Sequence, residues 1–219
     1  MDVDENIISE DMFDEDEEGD ISLEQVIKDM EEAWLNEKFA PEILPHKMEY
    51  VEILLGQITN IETQLQQLKN TDFKKGIHQM EVDRLRFIVT SYLRLRLEKI
   101  EAFSTHILNQ EKQRAENNRE LYLSPNELEF AQEFEQNLKQ HLDSFLSFCP
   151  DAVDVDAQLV APNIHSMVFL KSKKAVEGIV IDDGDGDNND LIDLPTGSQI
   201  LISYNSVSDL VKKGDVHLI

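Results

Sequence analysis

The nine residues Asp182-Asp183-Gly184-Asp185-Gly186-Asp187-Asn188-Asn189-Asp190 come closest in this chain to a metal-binding loop. A helix-flanked calcium loop needs carboxylates at positions 1, 3 and 5, glycine at 6 for the sharp turn, and a bidentate Glu at 12. Counted from Asp183, the first three fit, but Asn188 stands where glycine is needed and Leu194 where Glu is needed. No helix reads on either side, so the stretch is expected to be a solvated acidic hairpin loop. The six histidines, His46, His78, His106, His141, His165 and His217, never form His-Glu-x-x-His, and none follows a Glu by three. That leaves neither a zinc-protease helix nor a di-iron bundle motif. No Gly-Lys-Ser/Thr phosphate loop, Gly-x-Gly-x-x-Gly turn or Gly-x-Ser-x-Gly elbow occurs, and Cys149 stands directly before Pro150 without a nucleophile's surroundings. No catalytic residue, cofactor or metal site is expected.

Composition narrows the classes further. The 219 residues carry a formal net charge of −25, and 41% are hydrophobic. That is enough apolar material for a real core in one or two domains. Binding along a nucleic-acid backbone needs clustered Lys and Arg, which an acidic chain lacks, so no direct sequence-specific nucleic-acid binding is expected. A single cysteine forbids an internal disulfide and suits a reducing compartment. There is no basic-plus-apolar leader and no apolar run near 18 residues, so the expectation is a soluble intracellular protein with no membrane partner.

Residues 1–20 contain eleven acidic and no basic residues and read as a solvated tail. Ile7, Ile8, Met12 and Phe13 recur within it at about one helical turn, a spacing that suits a short docking motif. Residues 21–149 then show helical periodicity. Ser22 and Gln25 have capping-box spacing ahead of Leu23, Val26, Ile27, Met30 and Trp34. Pro41 and Pro45 punctuate the connection to a second helix, about Lys47 to Lys69, with a seam of Leu54, Ile58, Ile61, Leu65 and Leu68. The polar run Glu111–Glu120 reads as a surface loop. Ser124-Pro125-Asn126-Glu127 places Ser at the N-cap, Pro at N1 and Glu at N3 of a further helix striped with Leu128, Ala131, Phe134, Leu138, Leu142 and Phe145. Residues 150–163 read as a linker. From 164 to 219 the period becomes strand-like, with candidates at Met167–Leu170, Gly178–Ile181, Leu191–Leu194, Gln199–Tyr204 and Val216–Ile219, and one helical turn at Asp209–Lys213. The fold class is α+β: an all-helical bundle followed by a β-rich module of about 55 residues, too small to stand well alone.

Ile77–Phe103, in a helix extending to about Asn109, is the stretch around which the bundle is organised. Leu85, Ile88, Val89, Tyr92, Leu93, Leu95, Ile100 and Phe103 share one broad arc, while Phe87 and Leu97 lie outside it, so more than one side requires cover. Such a helix makes the isolated chain prone to self-association. Arg96 falls inside the apolar arc. A guanidinium there needs a carboxylate or several carbonyl acceptors, unless the arginines snorkel to the rim of an ordinary bundle core. Burial with an acidic partner, within the bundle or across a subunit boundary, is the expectation. On this basis Arg96→Leu is expected to be tolerated better than removal of the carboxylate alone.

Several of these stretches together resemble a known family. Ala33-Trp34-Leu35-Asn36-Glu37-Lys38-Phe39-Ala40-Pro41-Glu42 resembles the first-helix signature of the Sld-five-type subunits of the GINS complex. So do His78-Gln79-Met80-Glu81 with Arg84, Ser91-Tyr92-Leu93-Arg94 through Lys99-Ile100-Glu101, and Leu123-Ser124-Pro125 with Glu127-Leu128. Gly197-Ser198-Gln199, Leu201-Ile202, Tyr204, Leu210-Val211, Gly214 and Leu218-Ile219 resemble the end of the same subunits. The likeness runs from about Leu23 to Ile219 and lapses at 1–20, 110–120 and 171–190.

The resemblance implies a helical A-domain and a small β-type B-domain in a non-catalytic scaffold. It implies three paralogous GINS subunits as partners, with the Mcm hexamer and a Cdc-type companion in the replicative CMG helicase, in the nucleus. Trp34, Phe39, Arg84, Tyr92, Arg94, Arg96, Leu218 and Ile219 are the expected partner-interface residues, and a replisome adaptor is the expected receptor for the tail motif. The alternative reading, drawn from the acidic tail, is a histone-chaperone-like binder.

Overall fold

The computed structural model of the chain describes residues 22–67, 73–146, 160–181 and 190–219. The tail with Ile7, Ile8, Met12 and Phe13, the residues Cys149 and Pro150, most of the 150–163 segment and the 182–189 aspartate loop lie outside the described residues.

Helix α1 spans Leu23–Phe39 and starts where Ser22 accepts the Gln25 backbone N–H on its hydroxyl at 3.3 Å. The Gln25 side-chain N–H donates to Asp29, one turn on, at 2.7 Å. After the 40–47 connection, helix α2 (Met48–Gln67) turns Val51, Leu54, Ile58, Ile61 and Leu65 inward. These pack on Val82, Leu85, Ile88, Val89 and Tyr92 of helix α3 and on Val26 and Met30 of α1. The four-and-three spacing of the α2 seam therefore serves an intrachain bundle.

Helix α3 runs from Phe73 to Glu116, with one non-helical residue at Phe103 (φ −128°, ψ 28°). It starts earlier and ends later than the sequence suggested. The run 111–116, expected as loop, is helical because no Gly or Pro interrupts it and its one buried side chain finds donors. Glu111 accepts the backbone N–H groups of Tyr122 (3.1 Å) and Leu123 (3.3 Å) and pairs with Arg114 at 2.6 Å. Past the kink, Ile107 and Leu108 join Ile43, Ile100, Leu123 and Ala131 in a second apolar cluster. Helix α4 (Pro125–Leu146) begins with a complete capping box: Glu127 N–H donates to the Ser124 hydroxyl at 3.3 Å, and Ser124 N–H donates to the Glu127 carboxylate at 2.8 Å.

The C-terminal part is one long hairpin bent in the middle. Strands β1 (Met167–Ser172) and β2 (Val176–Ile181) run out; β3 (Asp190–Leu194) and β4 (Gln199–Ser203) run back. β1 pairs with β4 and β2 with β3, all antiparallel. At the bend Ser172 N–H donates to Ser198 C=O (3.0 Å) and Gly197 N–H to Ser172 C=O (2.8 Å), so pairing continues through it. Gly197 has φ +81°, a conformation that disfavours a side chain. Helix α5 (Tyr204–Lys213) is a full ten residues where one turn was expected; it ends on Gly214 in the left-handed region. Strand β5 (Val216–Leu218) then pairs with the other side of β1.

The strand part does not close its core alone. Ala40 and Leu44, from the connection after α1, belong to the same apolar cluster as Val168, Leu170, Ile202, Val207, Val211 and Leu218. That is the support so small a module requires.

Candidate interaction surfaces

α3 has two chemically different faces. Its inner face holds Arg96, fully buried at 0% exposure, one turn after Tyr92 and one turn before Ile100. The helix-start signal of α4 places Glu127 opposite it. Arg96 Nε donates to Glu127 at 2.6 Å and one terminal nitrogen donates to the second Glu127 oxygen at 3.0 Å, a two-pronged pair. The other terminal nitrogen reaches Glu37 at 3.2 Å and the Leu44 carbonyl at 2.7 Å, and the Tyr122 carbonyl accepts a further bond at 2.8 Å. Glu37 is shared with Lys99, which donates to it at 2.7 Å and to the Glu37 and Glu42 carbonyls at 2.6 and 2.8 Å.

Electrostatics keep this network charged. Burial alone would raise the Glu127 carboxyl, but Arg96 and the Ser124 N–H outweigh it and hold it below its ordinary value. Burial likewise opposes the Arg96 charge, yet its carboxylate partners hold the guanidinium well above its usual range. Burial pushes the Tyr92 phenol up to about 12, and its oxygen accepts the Lys47 N–H at 3.0 Å.

The network also changes the expectation for Arg96→Leu. With two carboxylates and two carbonyls converging on one guanidinium, leucine would strand acceptors on α1, α4 and both connections at once. Tyr92 and Arg96, expected at a partner interface, are spent inside the chain. So is Leu218, whose N–H donates to Asn36 Oδ1 at 2.8 Å.

The outer face of α3 is the reverse. Phe73, Ile77, Met80, Arg84 and Phe87 recur at intervals of four, three, four and three, which lines them along one side of a helix. That side lies about 105° round the helix from the buried arc of Leu85, Ile88, Tyr92 and Arg96, beside α1. Phe73 is 82% exposed, Met80 74% and Phe87 60%. Phe87 meets Trp34 of α1 edge-to-face, with centroids 5.8 Å apart. Lys38 lies over Trp34 at 5.7 Å and over the half-exposed Phe39 at 5.1 Å. Arg84 pairs with Glu31 of α1 at 2.6 Å and with Glu81 at 2.8 Å. The structure thus gathers Trp34, Phe39 and Arg84 into one α1–α3 ridge with Phe87. Arg94 is exposed farther along α3.

Sequence reasoning flagged Phe87 but missed Phe73, Ile77 and Met80; their four-three spacing was the available signal. A second stripe opens on α4. Its first turns are covered through Leu128 and Ala131, but Leu138 and Phe145 face outward. The Trp34 indole nitrogen is buried without a hydrogen-bond partner. Among the described residues no group of His, Cys, Asp and Glu is arranged to hold a metal, and no helix is long and apolar enough to cross a membrane.

Comparison with known proteins places both parts of the chain. Residues 47–146 match the family model for the GINS complex protein helical bundle domain, and residues 162–219 match that for the DNA replication complex GINS protein SLD5 C-terminus. The chain is similar to the DNA replication complex GINS protein SLD5 of Bos taurus, 40% identical over 219 residues that cover 95% of this chain and 98% of the relative. It is 41% identical to the protein of the same name from Homo sapiens, covering 93% of each. The Schizosaccharomyces pombe protein of that name is 28% identical over 90% of this chain and 93% of its own.

Proposed function

The chain belongs to the Sld5 family of GINS proteins, and we propose from this premise how it works as a structural subunit in DNA replication. It is non-catalytic. Its helical part assembles with three paralogous GINS subunits, and that tetramer joins the Mcm hexamer and its Cdc-type companion in the CMG helicase, in the nucleus. The observation that carries this reading is the outer face of α3. A helix with a sealed charged network on its buried side and open Phe73, Met80 and Phe87 on an adjoining side is built to be covered by other protein. The open half of α4 supports the same reading.

Within this proposal Trp34, Phe39, Arg84 and Arg94 are the interface residues that the fold leaves available, and Ile219, half-exposed at the end of β5, is another. The tail motif Ile7, Ile8, Met12 and Phe13 serves a replisome adaptor independently of tetramer assembly. The names of the relatives give the histone-chaperone reading no support.

Co-expression tests the proposal. The chain produced with its three GINS partners is expected to purify as a stoichiometric heterotetramer, while the chain alone self-associates or precipitates. A monodisperse, cooperatively unfolding monomer that ignores the other subunits would overturn it.

A further inference from the structure

Unequal treatment of the two edges of one sheet suggests a second mode of contact. The three-stranded sheet has the order β4-β1-β5. At the β5 edge the outward N–H of Leu218 is capped by Asn36 of α1 at 2.8 Å. The β4 edge has no such cap among the described residues, and no described strand pairs with it. The register shows which groups it offers. Tyr204 N–H donates to Ser166 C=O and Ser172 N–H to Ser198 C=O, so the even-numbered residues 198–204 face β1. The backbone groups of Gln199, Leu201 and Ser203 therefore point away from the sheet.

Edges are normally blunted by charge, proline, a bulge or a cover. β4 reads Gln-Ile-Leu-Ile-Ser and carries no charge or proline. Its outward side chain Leu201 lies opposite Phe169, which is 57% exposed, and Met167 continues that apolar row. Lys171, paired in register with Gln199, closes the row at the other end. Its neighbours Lys173 and Lys174 pair with Glu32 and Asp215, but among the described residues Lys171 has no carboxylate partner.

We propose that the β4 edge accepts an extended segment of a partner GINS subunit as a fourth strand, with an apolar residue beside Leu201 and a carboxylate beside Gln199, within reach of Lys171. This inference rests on the assembly reading above. Main-chain bonds from Leu201 and Ser203 hold the added strand, and alternate side chains select it. A second copy of this chain does not suit the site. Its own β4 contains no carboxylate to offer Lys171, and two chains of net charge −25 repel.

Amide hydrogen exchange, read residue by residue on the free chain and on the co-expressed four-subunit complex, tests this. In the complex the Leu201 and Ser203 amides should exchange at least tenfold more slowly, with no comparable change at Leu218, which is already bonded. Leu201→Lys, which charges the edge and leaves the inward Ile200 and Ile202 untouched, should abolish that slowing. A tetramer that assembles while both amides exchange as fast as in the free chain overturns the added strand and spares the assembly reading. Failure to assemble at all overturns both. Slowing that appears in the free chain as its concentration rises, and is not increased by the partners, assigns the edge to self-pairing and also overturns the proposal.

Discussion

The two sides of α3 are both largely apolar, but one is covered by this chain around a single buried arginine and the other lies open. Toward the chain's own centre the helix presents an arginine, sealed by Glu127 and Glu37. Toward the outside it presents phenylalanine, isoleucine and methionine. Buried ion pairs add little net stability, because desolvation offsets their attraction, but leaving one partner alone is costly. The inner face therefore specifies shape. It fixes how α1, α4 and the 40–47 connection meet α3. The outer face touches α1 through Phe87–Trp34 and Arg84–Glu31 and otherwise leaves its apolar area open, which under the proposed assembly is what a partner covers. One helix thus separates folding from assembly, and variants on its two faces should fail in different ways.

The largest effect belongs to the inner face. Glu127→Ala removes the α4 capping box and leaves Arg96 short of its two-pronged partner, and should cost about 3–5 kcal/mol in denaturant unfolding. A loss below about 1 kcal/mol would mean that the network is not what joins α3 to α4.

Next comes the strand part, whose last residues close its core. Leu218 is fully buried beside Ala40 and Leu44 and is worth about 1.5–3 kcal/mol. Deleting Leu218 and Ile219 should let limited proteolysis remove the strand part, leaving a resistant helical core. A strand part as resistant as in the full chain would contradict this.

A smaller effect separates the two parts by pH. Burial, with Lys173 and Lys171 nearby and only Glu32 opposing, lowers the His217 imidazole below its ordinary 6.5. A group whose folded pKa is depressed stabilises fully above its unfolded pKa and loses that contribution as pH falls through the folded one. His217 should therefore begin to loosen the strand part as pH drops below about 6.5. The Glu127 network keeps its contribution down to about 4.5, the ordinary carboxyl value, and loses it only below. Proteolysis of the strand part at pH 5.5 should be faster than at pH 7.5, with the helical core unchanged. Equal rates at the two pH values would remove His217 from the account.

The smallest effect is at Arg84, whose pairs with Glu31 and Glu81 sit half-exposed on the ridge. Arg84→Ala should change stability by about 0–1 kcal/mol. Thermal unfolding of this variant would reveal a larger role.

Sequence made some of this legible and hid the rest for physical reasons. Ser22, Ser124 and Glu127 announced their helix starts because capping is local chemistry. Short apolar runs between turn residues marked the strands, and the place of Arg96 on an apolar arc pointed to a buried acidic partner. The identity of that partner was hidden, because Glu37 and Glu127 lie 59 and 31 residues away and meet Arg96 only in the fold. The helix continued through Glu111 because a tertiary contact, the Tyr122 and Leu123 amides, made its burial tolerable. Tyr92 and Leu218 were expected at partner surfaces, but apolar periodicity marks burial without telling an internal core from a subunit contact.

The separation of folding from assembly is tested most directly by the double substitution Phe73→Asp/Met80→Asp on the outer face, which leaves the Phe87–Trp34 contact in place. The variant should unfold within about 0.5 kcal/mol of the parent, as exposed substitutions do, and should no longer purify with the three GINS partners. A variant that still enters a stoichiometric tetramer would contradict the account, as would one that loses several kcal/mol and fails to assemble only because it is unfolded.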